Sequence, residues 1–144
     1  MRRIASDVFI SAEPEKVWAV LTDFERFEEW NPFLVEASGV AAPGNRLSLR
    51  FRLPSSGREM VFKPTVLLTE RPQLLRWRGR FGVPYIFDGL HSFELTARDG
   101  GTHVLQSEVF TGVLVPFTKS IIAQSEHGFG RLTEALKQRV ESGV

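Results

Sequence analysis

The feature that most constrains the fold is a long run of strand signals that ends in one long helical period. Apolar and polar residues alternate in short segments from residue 33 to residue 112, and turn residues separate the segments. Residues 117–141 then change to a period near 3.6, which predicts a helix about 37 Å long. Successive antiparallel strands bury one face of a sheet, so the long helix is its natural cover. We predict six strands here, at 33–39, 47–53, 59–70, 75–81, 86–97 and 102–112, with Pro64 marking a bulge or an edge.

A strand and two short helices precede this run. Residues 4–10 alternate as a strand, and a helix begins near Pro14, where a proline is tolerated in the first turn. Asp23 can cap a second short helix that ends near Trp30. The predicted order is one strand, two helices, six strands and one long helix, in a single domain spanning 1–144.

The composition excludes several classes of protein. The chain has no cysteine, so it has no disulfide scaffold, thiolate zinc site or cysteine nucleophile. It also lacks a glycine-rich phosphate loop, a G-x-S-x-G elbow and an H-E-x-x-H motif, and we expect no cofactor and no metal. The net charge of +1 gives no reason to expect a nucleic-acid partner. Without a transmembrane run or a secretion signal, we expect a cytoplasmic protein, either a monomer or a homodimer.

Several short motifs, in order along the whole chain, resemble the SRPBCC superfamily, also called START-like or birch-pollen-allergen-like. Within it, the chain is most similar to the bacterial group related to polyketide cyclases and dehydrases. The motifs are Ala12-Glu13-Pro14-Glu15-Lys16-Val17-Trp18, Leu21-Thr22-Asp23-Phe24, Glu29-Trp30-Asn31-Pro32, Leu75-Arg76-Trp77-Arg78-Gly79, Asp88-Gly89-Leu90-His91-Ser92-Phe93-Glu94-Leu95 and Gln106-Ser107-Glu108-Val109-Phe110-Thr111-Gly112.

The resemblance implies an α+β helix-grip fold. In that fold a curved, seven-stranded antiparallel sheet wraps around the long C-terminal helix and leaves a ligand cavity between them. The superfamily includes lipid carriers, hormone receptors, aromatase/cyclases, oxygenase domains and chaperone activators, so the fold alone does not select a function.

The last hairpin predicts a polar pair inside the sheet. If the chain turns at Asp99-Gly100, paired residue numbers sum to 199, and His91 lies opposite Glu108. The same register places apolar Phe93, Leu95, Val104 and Phe110 on the inner face. The pair can contact a ligand, fix the strand register, or move a proton, and the sequence leaves these three roles open.

The middle of the long helix suggests a cavity. Ser125 and Gly128 are small and belong to the face that should meet the sheet, so they either leave room for a ligand or permit close packing. We predict that the ligand is bound by aromatic, polar and small residues of the strands and the helix: Trp30, Phe33, Trp77, Phe81, Phe87, His91, Phe93, Gln106, Glu108, Phe110, Ile121, Ser125, Gly128 and Phe129.

A second pattern is a concentration of positive charge. Residues 46–80 contain nine Lys and Arg against two Asp and Glu. Six of these fall on outward positions of three consecutive predicted strands, and we expect one basic stripe on the outer face: Arg50, Arg52, Lys63, Arg76, Arg78 and Arg80. Such a stripe either binds an anionic partner or keeps a solvated sheet face from pairing with another edge.

Three functions follow from this sequence. The first is the binding of a small hydrophobic molecule, lipid-like or an aromatic polyketide, oriented by His91, Gln106 and Glu108. The second is a cofactor-free cyclase or dehydratase in which His91 is the general base and Glu108 orients it. The third is a protein-interaction module resembling chaperone activators, which would use the basic stripe.

Overall fold

A computed structural model describes residues 1–143; residue 144, the last of the predicted domain, lies outside the described residues. The elements in chain order are β1 (Arg2–Ile10), α1 (Pro14–Thr22), a 3₁₀ turn (Phe24–Glu29), β2 (Leu34–Ser38), β3 (Ser48–Arg52), β4 (Glu59–Phe62), β5 (Thr65–Glu70), β6 (Leu74–Arg80), β7 (Asp88–Arg98), β8 (Gly101–Thr111), a second 3₁₀ turn (Val115–Phe117) and α2 (Lys119–Glu141). No helix within residues 1–143 has the length and apolarity needed to cross a membrane.

The strands form two antiparallel sheets. One has five strands in the order β1-β8-β7-β6-β5, and the other has three in the order β2-β3-β4. The α2 helix packs against β1 and against α1, and its buried face joins the inner face of the larger sheet in one apolar core. This arrangement confirms the predicted α+β helix-grip fold.

The strand count is eight rather than the predicted seven, and Pro64 is the reason. The stretch 59–70, predicted as one strand, is divided into β4 and β5 at Lys63–Pro64, and the two halves belong to different sheets. Proline has no N–H to donate to a ladder, so the strand bends there. The Pro64 carbonyl instead accepts from the Leu47 N–H at 2.9 Å, and an isolated bridge between Arg46 and Thr65 links the two sheets.

The start of α2 also differs from the predicted helix. Phe117 was expected on the apolar face, but it lies in the 3₁₀ turn before α2 and is 82% exposed. Ile122 rather than Ile121 is the buried residue of the first turns, while Ser125 and Gly128 face the core as predicted. The predicted helix 117–141 therefore begins two residues too early, because Phe117 ends the 3₁₀ turn and Thr118 lies between that turn and α2.

The expected single basic stripe is wrong. Arg50 and Arg52 lie on β3 of the smaller sheet, whereas Arg76, Arg78 and Arg80 lie on β6 of the larger one. Lys63 belongs to neither sheet, because it lies in the bend between β4 and β5. Several of these charges also have partners: Arg52 contacts Glu59 at 2.6 Å, and Arg80 contacts Asp88 at 3.2 Å. The support that the stripe gave to an interaction module is thereby removed.

The C-terminal end of α2 is tied to the end of β1. The Lys137 ammonium donates to Glu141 at 2.7 Å and to the Phe9 carbonyl at 2.8 Å. The Ser11 N–H donates to Glu141 at 2.9 Å. The hydrogen bonds from Lys137 and then from Ser11 hold the pKa of the Glu141 carboxyl below its ordinary value. This clasp fixes one end of the helix relative to the sheet.

The β7–β8 hairpin has the predicted register. Arg98 pairs with Gly101, and every pair down to Asp88 and Thr111 follows from it. Asp99 has φ +48° and Gly100 has φ +78°, so both turn residues lie in the left-handed region that a two-residue hairpin of this hand requires. A Cβ atom added at Gly100 would meet no heavy atom within 4 Å.

The empty surroundings of Gly100 make it a clean test of the turn. We expect Gly100→Ala to lower the free energy of unfolding by about 1 kcal/mol, because the only cost is the left-handed backbone of an L residue. Asp99→Asn is the control and should leave stability unchanged, since asparagine tolerates this conformation. Urea denaturation measures both, and an unaffected Gly100→Ala variant would contradict this assignment of the turn.

Candidate functional site

A row of three side chains crosses the inner face of the larger sheet. Trp77 on β6 is paired with His91 on β7, and His91 is paired with Glu108 on β8. Side chains opposite each other on neighbouring strands have Cβ atoms about 5 Å apart, so the three are direct neighbours. Trp77 and His91 are almost fully buried, and the Glu108 side chain is 15% exposed. The predicted meeting of His91 and Glu108 inside the sheet is therefore confirmed.

A hydrogen-bond chain connects this row to α2. His91 Nε2 lies 3.1 Å from Gln106 Oε1, and Gln106 Nε2 donates to the Phe129 carbonyl of α2 at 3.2 Å. A carbonyl can only accept, so the amide nitrogen of Gln106 must face Phe129 and its oxygen must face His91. It follows that His91 Nε2 carries a hydrogen and donates it.

The other ring nitrogen faces a carboxylate. His91 Nδ1 lies 3.4 Å from Glu108 Oε1. With the hydrogen on Nε2, a neutral imidazole would place a lone pair at Nδ1 against the negative carboxylate. The contact is attractive only when one further proton resides on the pair, either on Nδ1 or on the carboxyl group. The row thus places a ring nitrogen and a carboxylate oxygen side by side in a largely buried position.

Gly89 makes room for the carboxylate of Glu108. A Cβ atom added at position 89 would collide with Glu108 Oε2 and approach the ring of Phe110. The glycine therefore leaves the space that the carboxylate occupies, while its φ is unremarkable for any residue. The sequence contains Gly89 in a recognised motif, but only the register of three strands identifies what it accommodates.

Aromatic rings surround the polar row. The His91 ring lies 4.8 Å, centroid to centroid, from each of three rings: Trp77, Phe93 and Phe129. The indole Nε1 of Trp77 is buried and has no hydrogen-bond partner within residues 1–143. A buried N–H without an acceptor costs free energy, so it is a donor available to an acceptor from outside the chain.

The predicted cavity beside Gly128 is occupied by the protein itself. A Cβ atom added at Gly128 would overlap the ring of Phe33, and Phe33 also packs on Phe129 with centroids 5.6 Å apart. The expectation that Gly128 leaves room for a ligand is therefore wrong for this conformation. The glycine instead permits close packing of Phe33 on the helix, which was the alternative interpretation.

A line of rings leads from this core toward solvent. Phe33 contacts Phe51 at 5.9 Å, and Phe51 contacts Phe62 at 5.5 Å. Phe51 and Phe62 are only partly buried, and Phe62 leans over Gly79 on β6. The turn after β3 reaches across to α2, where Ser55 donates to Gln124 at 2.6 Å. The line therefore runs between the smaller sheet and the helix.

The remaining predicted ligand residues lie around this core. Gln106, Phe110 and Ser125 are buried, and Trp30, Phe87 and Ile121 are partly buried. Phe87 stacks on Phe110 at 5.6 Å, whereas Trp30 packs on Phe27, away from the polar row. Phe81 is 65% exposed in the loop after β6 and does not reach the interior. Four residues in the line of rings or beside the polar row were not among the predicted ligand residues: Phe51, Phe62, Gly79 and Gly89. The alternation that identified β3 and β6 could have indicated Phe51 and Gly79.

The comparisons with known proteins agree with this geometry. The model of the family described as polyketide cyclase / dehydrase and lipid transport matches residues 1–141. No curated protein sequence matches the chain.

Three solved structures are similar over nearly the whole chain. A Mesorhizobium loti protein is 23% identical, with a TM-score of 0.79 and 99% of each chain covered. A START superfamily protein from Mycobacterium smegmatis is 19% identical, with a TM-score of 0.74 and 99% of each chain covered. DynU16, from the dynemicin biosynthetic locus, is 22% identical with a TM-score of 0.71, covering 98% of this chain and 48% of DynU16. The solved structures share the fold of this chain, and the match of the family model over residues 1–141 shows that the chain belongs to the polyketide cyclase / dehydrase and lipid transport family.

Proposed function

We propose that the protein binds a small hydrophobic molecule that carries a hydrogen-bond acceptor, such as a lipid-like compound or an aromatic polyketide. The observation that carries this proposal is the polar row enclosed in an aromatic interior, with the unpartnered Trp77 N–H at one end. Ligand sites are generally apolar pockets with a few placed polar groups, and this interior has that composition. His91 and Glu108 add further polar groups to the same row.

The ligand would take its affinity from apolar contact and its orientation from the polar row. Burial of apolar surface contributes about 25 cal/mol per Å² before the costs of association. A single neutral hydrogen bond adds roughly 1 kcal/mol, so a ligand that accepts from the Trp77 N–H is favoured about fivefold over one of the same shape that does not. The family description and the resemblance to DynU16 and to the START superfamily protein support a ligand of this class.

Room for the ligand comes from movement of Phe33. Its ring fills the space over Gly128 and stands between the partly exposed Phe51 and the buried Phe129. A ligand that enters along Phe62 and Phe51 would replace the ring contacts of Phe33 with its own. In the absence of ligand, the ring of Phe33 fills this space.

A smaller side chain at position 33 should strengthen binding. We expect Phe33→Leu to raise the affinity for an apolar fluorescent dye about fivefold, because about 1 kcal/mol of packing no longer has to be displaced. A dye titration followed by fluorescence measures this. Phe27→Leu is the matched control, since Phe27 is as deeply buried but lies outside the ring line.

Both substitutions should lower stability to a similar extent, by about 1 kcal/mol. An equal rise in affinity in both variants would show that the dye reports loosening of the core. Unchanged or weaker binding in a folded Phe33→Leu variant would contradict the role given to Phe33.

The indole N–H of Trp77 should distinguish ligands with and without an acceptor. We expect Trp77→Phe to lower the affinity for acetylnaphthalene about fivefold, the value of one neutral hydrogen bond of roughly 1 kcal/mol. Ethylnaphthalene has nearly the same shape and no carbonyl, so its affinity should change much less. Isothermal titration calorimetry with both compounds gives the ratio directly.

Trp18→Phe provides the control for the loss of ring volume, because Trp18 is another buried tryptophan of the core. The ratio of the two affinities should stay at its original value in this variant. If Trp77→Phe weakens both compounds equally, the indole N–H does not bind the acceptor.

One observation favours a second function, a cofactor-free cyclase or dehydratase. His91 Nδ1 and Glu108 Oε1 lie 3.4 Å apart, and an imidazole beside a carboxylate is a pair of groups that can transfer a proton to or from a bound carbonyl compound. His91 would exchange the proton with the substrate, and Glu108 would orient and balance the imidazole.

Glu108→Gln separates this function from simple binding. The glutamine amide can still donate to Nδ1, but it cannot take up or release a proton as a carboxylate does. For an enzyme we expect turnover of a poly-β-ketone thioester to fall by a factor of about 10²–10⁴ with binding retained. Glu94→Gln, an exposed carboxylate on β7, is the control. An absence of turnover in the unaltered protein would leave binding as the function.

A further inference from the structure

Exposed apolar side chains gather at the end of the molecule where β6, β7 and β8 meet their loops. We call them the tip patch: Phe81, Val83, Tyr85, Val113 and Phe117. They make up half of the ten exposed large hydrophobic residues found within residues 1–143. Their side chains are 63–82% exposed, so each projects clear of its neighbours.

Two chain segments carry the tip patch, and hydrogen bonds hold them together. The Val113 N–H donates to the Tyr85 carbonyl at 3.0 Å, and the Leu114 N–H donates to the Ile86 carbonyl at 3.0 Å. Both segments continue directly from the paired ends of β7 and β8, at Asp88 and Thr111. The patch is therefore one surface built on the sheet.

The backbone at Tyr85 turns its side chain away from the core. Tyr85 has φ +73°, in the left-handed region that large L residues rarely adopt. Its carbonyl is used by Val113, while its ring is 82% exposed. The Tyr85 ring therefore projects from the surface at a position where a hydrogen bond holds the backbone.

Basic residues surround the tip patch. Arg2 and Arg3 begin β1 beside the end of β8, Arg80 ends β6, and Lys119 begins α2. Asp88 is the acidic residue among these strand ends, and Arg80 already pairs with it at 3.2 Å. The first turn of α2 contains no acidic residue. The surface thus combines projecting aromatic and aliphatic groups with a positive rim.

We propose that the tip patch docks on the surface of a lipid bilayer that contains anionic lipids. Aromatic and aliphatic side chains insert at the boundary between headgroups and acyl chains, while basic residues contact the phosphates. Side chains that project singly suit a fluid lipid layer, whereas the core of a protein interface requires close shape complementarity. The positive rim matches the charge of an anionic bilayer.

The proposed docking does not depend on the proposed ligand, although it would help a hydrophobic ligand to pass between the bilayer and the protein. Phe87 and Phe110, which stack directly behind the tip patch, connect this end to the row of His91 and Glu108. A hydrophobic molecule could pass between bilayer and protein at this end without crossing bulk water. Vesicle binding can be measured without any ligand, so a failure of one proposal leaves the other testable.

The experiment is co-sedimentation of the full chain with two kinds of vesicle, one of phosphatidylcholine alone and one of phosphatidylcholine with an equal amount of phosphatidylserine. We expect binding to the mixed vesicles, weakened by added salt. The variant Phe81→Ser/Tyr85→Ser/Phe117→Ser should lose about tenfold or more in vesicle affinity. Lys119→Gln should lose about fivefold on the mixed vesicles, the effect expected of one basic residue near an anionic surface.

Matched controls come from exposed residues elsewhere on the protein. Val40→Ser/Val61→Ser removes two exposed apolar side chains outside the tip patch, and Arg98→Gln removes a basic residue in the β7–β8 turn region. Both should bind vesicles as the unaltered protein does. Circular dichroism checks that each variant is folded, and Phe117→Trp supplies a second readout that requires no loss of apolar surface.

In that variant, emission of the added tryptophan should shift to the blue with the mixed vesicles and be quenched by lipids brominated on their acyl chains. The proposal is overturned if the unaltered protein fails to bind mixed vesicles, or if the serine variant and the control variant bind equally. It is also overturned in favour of self-association if sedimentation shows a dimer that the serine variant abolishes while vesicles remain unbound.

Discussion

The register of the β7–β8 hairpin is the constraint on which the rest of the site depends. A two-residue turn at Asp99-Gly100 fixes every pair along eleven residues of each strand. A slip of one residue would move the whole inner set to the outer face, exposing apolar side chains to water. The same register, extended across β6, assembles Trp77, His91 and Glu108 into one row. Chemistry at the centre of the sheet is thus determined by a turn at its far end.

Aromatic side chains fill the space between the larger sheet and α2. An empty space between the sheet and α2 would forfeit contact energy. Phe33, Phe93, Phe129 and Trp77 span the gap with edge and tilted contacts around the His91 ring. The chain has 12 phenylalanines in 144 residues, and in the structure their rings fill much of the core.

Most of the fold could be predicted from the sequence, because strand alternation and helical period are local signals. The pairing of His91 with Glu108 was also predictable, since one turn motif sets it. The division of 59–70 at Pro64 was harder to predict, because a proline in a strand is compatible with a bulge, an edge or a change of sheet. The basic stripe failed for that same reason: outward positions share a surface only when their strands share a sheet.

The exact occupant of the space over Gly128 was beyond sequence reasoning. A small residue on the core face of a helix gives the same sequence pattern whether a ligand or a neighbouring ring packs above it. Only the three-dimensional path of the chain before β2 brings Phe33 there, where Asn31 Oδ1 accepts from the Phe33 N–H at 3.0 Å and the Leu34 N–H at 2.8 Å. The missing acceptor of the Trp77 indole N–H could not be predicted either, because whether a buried donor finds an acceptor depends on the groups that pack around it in three dimensions.

The hydrogen-bond chain from His91 through Gln106 to the Phe129 carbonyl also connects two elements of the fold. It joins the sheet to the middle of α2, while the clasp of Lys137 and Glu141 anchors the helix at its C-terminal end. Any object that wedges the middle of the helix away from the sheet must stretch this link first. The imidazole would then lose the Gln106 oxygen as the hydrogen-bond partner of its Nε2 atom. A displacement of the helix would in this way change the hydrogen bonding of a side chain at the centre of the sheet.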